Sequence, residues 1–145
     1  MNRLILERFA YRAKWDSGGE THGWCVLIDG EPLLERVKAF EMPLARRESD
    51  GNLAGAYDPA LLAGREELMG EKCGGCGVPE NSVALLGCDC GWPDCWPLAV
   101  RIEITGDSVR WSGFQQPFRD WDYSGFGPFE FELAQYEGEL AKLAG

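Results

Sequence analysis

This sequence of 145 residues lacks several features that common protein classes require. It contains a single histidine, His22, so any histidine-dependent catalytic triad would have to use that residue. No serine lies in a Gly-x-Ser-x-Gly motif, and no glycine-rich motif for phosphate binding occurs, so acyl transfer and nucleotide binding have no support. No apolar run approaches the roughly 18 residues that a membrane-spanning helix needs, and we expect no membrane partner.

Basic residues are also scarce, since 14 Lys and Arg face 24 Asp and Glu and leave a net charge of −10. This balance disfavours binding to nucleic acid or to anionic lipid, because both would be repelled. The apolar run near the N-terminus ends at Glu7 and is too short for a signal peptide. Six cysteines are too few for a disulfide scaffold, so we expect a cytoplasmic protein with reduced thiols.

The order of apolar and polar residues predicts one α+β domain over residues 1–145, with an antiparallel sheet of about five strands and two or three helices. Apolar residues alternate from Ile5 to Trp15 and again over Trp24 to Ile28, which predicts a hairpin with a long connection. A second hairpin is predicted from alternation over Val100 to Thr105 and Ser108 to Ser112, joined by a Gly106-Asp107 turn. The run Val83 to Leu86 is predicted to be a further strand of the same sheet.

Three segments have helical spacing. Pro32 suits a first helical position, and Pro43 predicts the end of that helix, because the residue before proline is pushed out of the α region. The residues from Arg46 to Asn52 are then predicted to be an exposed loop. A short helix is predicted from Asp58-Pro59 through about Met69, and apolar residues from Leu133 to Leu143 predict a C-terminal helix.

The most informative segment is a cysteine-rich loop region over residues 71–97. It contains the five cysteines Cys73, Cys76, Cys88, Cys90 and Cys95. Tetrahedral zinc takes four thiolates at about 2.3 Å, usually from two tight turns, and the glycines beside these cysteines permit such turns. We therefore predict a structural zinc ion held by four of the five cysteines, Cys73 and Cys76 with two of the other three.

Two other interpretations of the five thiols stay open. They are either free or buried thiols, or a redox pair in which a Cys-x-x-Cys or Cys-x-Cys motif cycles between dithiol and disulfide. The sixth cysteine, Cys25, falls in a predicted strand and is interpreted as an inert thiol. His22 precedes the same strand, where a solvated turn residue is favoured over a metal ligand or a base.

The stretch Leu85-Leu-Gly-Cys-Asp-Cys-Gly-Trp-Pro-Asp-Cys-Trp-Pro-Leu98 resembles the signature of a family of small bacterial proteins without an assigned function. Residues 27–30, 53–57 and 121–129 resemble the same family pattern, so the resemblance covers most of the chain. It implies that Cys88, Cys90 and Cys95 form one unit, and it implies no activity.

Aromatic residues are concentrated after the second hairpin, with eight of them between Trp111 and Phe131. Core filling is the favoured interpretation, and a partly exposed aromatic platform for a partner or a small ligand is the alternative. The candidate residues of such a site are Trp92, Trp96, Trp121, Asp122 and Tyr123. The nearby pair Asp120 and Asp122 is interpreted as turn-capping or solvated.

The sequence therefore favours a binding or interaction module with a structural zinc ion and no catalytic set. Its partner would be a protein or a small molecule. The alternative is a thiol-based oxidoreductase that uses the Cys-x-x-Cys or Cys-x-Cys cysteines, and a catalytic zinc ion would additionally need an open coordination position and a base.

Overall fold

A computed structural model describes residues 1–12, 20–48, 54–71, 81–88 and 97–144 of the chain. Within these ranges the chain forms seven strands and three α-helices, which confirms the expected α+β class. The strands are β1 (Leu4–Tyr11), β2 (Thr21–Ile28), β3 (Glu31–Pro32), β4 (Val83–Leu86), β5 (Leu98–Thr105), β6 (Ser108–Gln115) and β7 (Phe129–Glu132). The helices are α1 (Leu33–Glu48), α2 (Arg65–Leu68) and α3 (Leu133–Leu140), and a 3-10 turn over Ala141–Ala144 follows.

The described strands form two antiparallel sheets, so the prediction of a single sheet is wrong. One sheet has the order β1-β2-β3 and the other has the order β4-β5-β6-β7. A parallel bridge between Asn2 and Phe131 links them, and the Asn2 N–H donates to the Glu130 carbonyl at 2.7 Å. Alternation of apolar residues identifies strands, but it does not say which edges of those strands pair.

Both hairpins predicted from the sequence are present. In the first, β1 pairs with β2 from Leu4↔Ile28 to Tyr11↔Thr21. The buried residues of this pair are Leu4 and Leu6 in β1 and Val26 and Ile28 in β2, whereas Ile5 and Phe9 are half-buried on the opposite face of β1. In the second hairpin, β5 pairs with β6 across the predicted turn, and β4 joins the same sheet as expected.

The free edge of β1 is covered by polar side chains of the C-terminal segment. The Gln135 side chain accepts from the Leu4 N–H at 3.1 Å and donates to the Leu4 carbonyl at 2.5 Å. Glu139 accepts from the Leu6 N–H at 2.9 Å, and Lys142 donates to the Leu6 carbonyl at 3.0 Å. Because these side chains satisfy the edge, β1 is closed to pairing with another chain at these positions.

Helix α1 extends beyond its predicted end. It continues through Pro43 to Glu48, although an internal proline removes a backbone hydrogen bond and costs about 3 kcal/mol. Packing offsets this cost, since Glu41 and Ala45 on either side of Pro43 are buried. The predicted loop from Arg46 therefore begins as helix. No helix in the described ranges is long and apolar enough to cross a membrane.

The helix predicted from Asp58 is mostly absent, and only α2 is helical in that region. Residues 57–62 instead form an irregular segment, with a bend at residues 59 and 60, that crosses from one sheet to the other. The Leu61 N–H donates to the Trp24 carbonyl in β2, and the Leu62 N–H donates to the Leu85 carbonyl in β4, each at 2.8 Å. A Cβ atom at Gly23 would lie 2.6 Å from the Ala60 Cβ, so this crossing requires glycine in β2.

The aromatic residues after the second hairpin mainly fill the core, as the favoured interpretation expected. Six of the eight are buried, namely Trp111, Phe114, Tyr123, Phe126, Phe129 and Phe131. The exceptions are Phe118, which is 56% exposed, and Trp121, which packs against the core while partly exposed. The surface part of this aromatic segment is thus restricted to the loop that follows β6.

Candidate functional site

Two of the six cysteines lie in the described residues. Cys25 is half-buried in β2, where burial, with a contribution from Glu7, raises the pKa of its thiol, as an inert thiol requires. Cys88 is half-buried just after β4. The other predicted ligands, Cys73, Cys76, Cys90 and Cys95, lie outside the described residues, as do Trp92 and Trp96. Among the described residues, no group of three or more His, Cys, Asp or Glu side chains could hold a metal ion.

The connection from β4 to β5, here called the cysteine hairpin (residues 87–97), is closed at its base. Leu86 pairs with Leu98, and both residues are buried. This pairing brings the two ends of the connection close together. By contrast, the segment that contains Cys73 and Cys76 joins β4 at its other end, before Val83, about 10 Å away along the strand.

A buried polar cluster formed by Glu41, Tyr57, Gln116 and Tyr123 contacts both ends of this connection, at Cys88 and at Pro97. The Glu41 carboxylate has no exposed surface and accepts three hydrogen bonds. They come from the Gly55 N–H at 2.8 Å, from the Tyr57 hydroxyl at 2.7 Å and from the Tyr123 hydroxyl at 2.5 Å. Three donors around one carboxylate satisfy its ionised form, which has no proton to donate.

Gln116 joins this polar cluster to the cysteine hairpin and is itself fully buried. Its amide donates to the Pro97 carbonyl at 3.1 Å and to the Tyr57 hydroxyl at 3.4 Å. Its side-chain oxygen accepts from the Phe118 N–H at 3.0 Å. The amide thus connects the hairpin to the loop that follows β6.

The first end of the cysteine hairpin reaches the same polar cluster through Tyr57. Tyr57 and Cys88 form an antiparallel bridge, and the Asp58 N–H donates to the Gly87 carbonyl at 2.8 Å. Residues opposite each other in such a bridge present their side chains on the same face, with Cβ atoms about 5 Å apart. The Cys88 side chain therefore lies on the same face of the bridge as the Tyr57 side chain.

The loop after β6 (residues 116–123, here the aromatic loop) carries the predicted platform residues. Trp121 donates from its indole N–H to the Glu48 carboxylate at 2.8 Å, and Arg119 forms an ion pair with the same carboxylate. Tyr123 is buried in the polar cluster, so it is not available to a ligand. Asp122 is exposed and accepts from the Ser124 N–H at 2.9 Å, a bond that lowers the pKa of its carboxyl and matches the expected turn-capping role.

A groove of ≈ 550 Å³ lies between the end of α1 and the aromatic loop. The described residues that line it are Leu44, Arg47, Glu48, Phe118, Arg119, Asp120, Trp121 and Asp122. Leu44, Phe118 and Trp121 give it an apolar part, and the charged side chains form its rim.

Burial controls the acid–base chemistry of the polar cluster. It raises the pKa of Glu41 above its ordinary value, even though the hydrogen bonds from Tyr123, Gly55 and Tyr57 act in the opposite direction. Burial and the nearby Glu41 carboxylate also raise the pKa values of Tyr57 and Tyr123. Both tyrosines therefore stay protonated and remain donors over the physiological pH range.

This shift has a testable consequence for stability. With a raised pKa, Glu41 binds its proton more tightly in the folded chain than in the unfolded chain. The wild-type free energy of unfolding is therefore expected to fall, relative to that of Glu41→Gln, as pH rises from below 4.5 through the folded-state pKa. The Glu41→Gln variant is the reference because its amide has no proton to lose in this range. Urea unfolding of both proteins from pH 4 to pH 8 measures this difference. A free energy of unfolding that rises with pH relative to that of Glu41→Gln would contradict the raised pKa of Glu41.

His22 lies in β2, and no group of three or more metal-ligating side chains among the described residues includes it. Its side chain is 55% exposed at the start of β2, with Glu20 as a weak partner at 3.9 Å. This position matches the solvated residue that the sequence favoured. Asp120 is exposed at the rim of the groove, and the Asp120–Asp122 pair forms no shared site among the described residues.

The motifs in the sequence do not predict the polar cluster, although α1 contains a signal for it. Leu33, Val37, Glu41 and Ala45 recur at four-residue spacing and are all buried. A glutamate at a core position of an amphipathic helix implies buried hydrogen-bond donors, because an isolated buried carboxylate is too costly. The donors themselves come from distant parts of the chain and leave no local pattern.

No protein-family model matches this chain, and neither the search of curated proteins nor that of solved structures found a match.

Proposed function

We propose that this chain is a binding module that contains a structural zinc ion and uses the groove of the aromatic loop as its binding surface. Four of the five clustered cysteines would supply the thiolates, Cys88 among them. The observation that carries the proposal is the pairing of Leu86 with Leu98, which closes the connection that contains Cys88, Cys90 and Cys95. This connection would supply two of the four thiolates, and Cys73 with Cys76 would supply the other two, since structural zinc in a reducing compartment such as the cytoplasm usually takes its ligands from two short turns.

The groove supports the binding half of the proposal. The Trp121 indole that lines the groove is already held by Glu48. Because this side chain is ordered before binding, less conformational entropy would be lost when a ligand binds. Phe118 adds apolar surface that the fold leaves exposed. The occupant would be a small molecule or a short protein segment with an apolar group, and the net charge of −10 disfavours nucleic acid.

Metal content tests the zinc half of the proposal. Protein purified without added metal should contain about one zinc ion per chain by elemental analysis. Cys88→Ser is expected to lose most of this zinc, because it removes one thiolate ligand. Cys25→Ser is the matched control, since Cys25 is also half-buried but lies in β2, and it should keep its zinc.

A metal-free wild-type protein whose clustered thiols react rapidly would contradict the zinc site. That result would favour the alternative, a thiol-based oxidoreductase, in which two cysteines exchange two electrons and two protons with a disulfide substrate. Equal zinc loss in Cys25→Ser and Cys88→Ser would instead show that the loss reflects unfolding rather than removal of a ligand.

A further inference from the structure

A second cavity, here called the sheet pocket, lies between strands β5 and β6 and the segment of residues 121–128, and its volume is ≈ 420 Å³. It shares Trp121 and Asp122 with the groove of the aromatic loop, and the rest of its lining is different. Its polar residues include Arg101, Arg110 and Ser112, and its apolar residues include Phe114, Phe126 and Pro128. Binding sites for small molecules have this composition, in which apolar side chains give contact area and a few polar groups fix orientation.

An irregularity in the sheet places a glycine in the wall of the sheet pocket. Ala99 pairs with Gln115 and Arg101 pairs with Ser112, so β6 has one residue more than β5 between these two pairs. Gly113 lies in this bulge with a φ of 61°, a backbone conformation that glycine adopts without strain. A Cβ atom at Gly113 would lie 3.8 Å from the Arg101 Cβ. Because glycine lacks a side chain, the space beside Arg101 is not filled from this position.

Arg101 is the cation of the sheet pocket that a ligand can use. It is exposed on β5, and it has no ion pair within the described ranges. Arg110 lines the same pocket, but it is bound by Glu130 at 2.7 Å and lies opposite Glu103 in the ladder. The charge of Arg110 is therefore largely offset, whereas that of Arg101 is not.

The charge of the lining favours an anion. Two basic side chains and one acidic side chain, that of Asp122, line the sheet pocket, whereas two basic and three acidic side chains line the groove. In a chain with a net charge of −10, the sheet pocket is thus a local positive region. Asp122 disfavours a second negative charge on the ligand, so a monocarboxylate fits better than a phosphate dianion.

The two strands supply hydrogen-bond donors for a carboxylate. Arg101 and Ser112 lie opposite each other in the ladder, so their side chains share one face of the sheet, with Cβ atoms about 5 Å apart. A guanidinium can donate two parallel hydrogen bonds to one carboxylate, and a neighbouring hydroxyl can add a third. The apolar residues of the same lining would contact an alkyl or aryl group on the ligand.

We propose that the sheet pocket is a second binding site, which takes a small organic monocarboxylate with an apolar group. Arg101 and Ser112 bind the carboxylate, and Phe114, Phe126 and Pro128 contact the remainder of the molecule. The inference goes beyond the proposed function, and it depends neither on the zinc ion nor on occupation of the groove.

The test is a titration of the isotope-labelled full chain with phenylacetate, followed through the backbone amide resonances. We expect the Gly113 and Ser124 resonances to move most, because both residues line the sheet pocket and not the groove. Arg101→Gln is expected to weaken phenylacetate binding about tenfold, the lower end of the range for a hydrogen bond to a charged group. Arg8→Gln is the matched control, since Arg8 is also exposed on a strand and its replacement changes the net charge equally.

Two analogues of phenylacetate test the ligand class. Phenylacetamide lacks the negative charge and phenethylamine reverses it, so both should bind at least about tenfold more weakly than phenylacetate. Phe118→Ala tests the location, because Phe118 lines the groove and not the sheet pocket. This variant should bind phenylacetate as the wild type does.

Four results would overturn the proposal. Equal weakening by Arg101→Gln and Arg8→Gln would show a general effect of net charge. Binding of phenethylamine as tight as that of phenylacetate would contradict the preference for an anion. Resonance shifts centred on Arg119 and Asp120, with weaker binding in Phe118→Ala, would place phenylacetate in the groove and would support the proposed function instead. No shift at the highest soluble concentration of phenylacetate would refute the sheet pocket as a carboxylate site and leave the proposed function unaffected.

Discussion

Replacing Glu41 by alanine is expected to lower the free energy of unfolding by about 3 kcal/mol at neutral pH. The substitution leaves the Tyr57 and Tyr123 hydroxyls and the Gly55 N–H without their acceptor inside the protein. Each such group costs about 1–3 kcal/mol, and the removed side chain also leaves a cavity. The loss is less than the sum of these costs because the burial cost of the carboxylate is removed at the same time.

Glu48→Ala is the matched control for this substitution. It changes the same residue type to the same replacement on the same face of α1, but Glu48 is exposed and its partners remain accessible to water. We expect a loss of less than about 1 kcal/mol, the usual value for a surface ion pair. Urea unfolding of the two variants measures both values. Similar losses for Glu41→Ala and Glu48→Ala would contradict a special role for the buried carboxylate.

Substituting Gly55 by alanine is expected to cost about 3 kcal/mol for two separate reasons. Gly55 has a φ of 64°, which an alanine adopts at a cost of about 1–2 kcal/mol. A Cβ atom at this position would also lie 2.7 Å from the Lys38 Cβ and 3.3 Å from the Lys38 Cα in α1. The loop would have to move away from the helix, and the Gly55 N–H would move away from Glu41.

Gly106→Ala separates the cost of the positive φ from the cost of the contact with Lys38. Gly106 has a nearly equal φ of 60°, and a Cβ atom there would have no neighbour within 4 Å. We expect this variant to lose only the backbone contribution, about 1 kcal/mol. The comparison is made by urea unfolding, with the pH dependence of each curve as a second measurement. Equal losses at the two positions would mean that the contact with Lys38 is relieved at little cost.

The strands were the most predictable part of the fold. The hairpin around Gly106-Asp107 follows from strict alternation and a two-residue turn, and both depend only on neighbouring residues. The end of α1 could not be predicted in the same way. Pro43 indicates a stop, but burial of Glu41 and Ala45 by distant parts of the chain continues the helix to Glu48. Likewise, Asp58-Pro59 has the local features of a helix start, whereas hydrogen bonds to β2 and β4 hold that segment extended.

The candidate site divides in a similar way. Residue type and spacing identified Cys88 and Trp121 as candidates. Cys88 belongs to the proposed zinc site, and Trp121 lines the groove. Tyr123 was grouped with Trp121 as a ligand residue, yet it is a buried donor to Glu41. Neighbours in a loop point in different directions, and only the packing of that loop decides which one reaches solvent.

The sequence by itself determined the α+β class, both hairpins and the cysteine spacing that predicts zinc, because each depends on residues close together in the chain. The lack of catalytic motifs and the acidic charge were also readable from it. Only the tertiary structure decided that the strands separate into two sheets and that Glu41 collects donors from residues 55, 57 and 123. Those contacts join segments far apart in the chain, and a buried charge selects its partners through the geometry of packing rather than through local sequence.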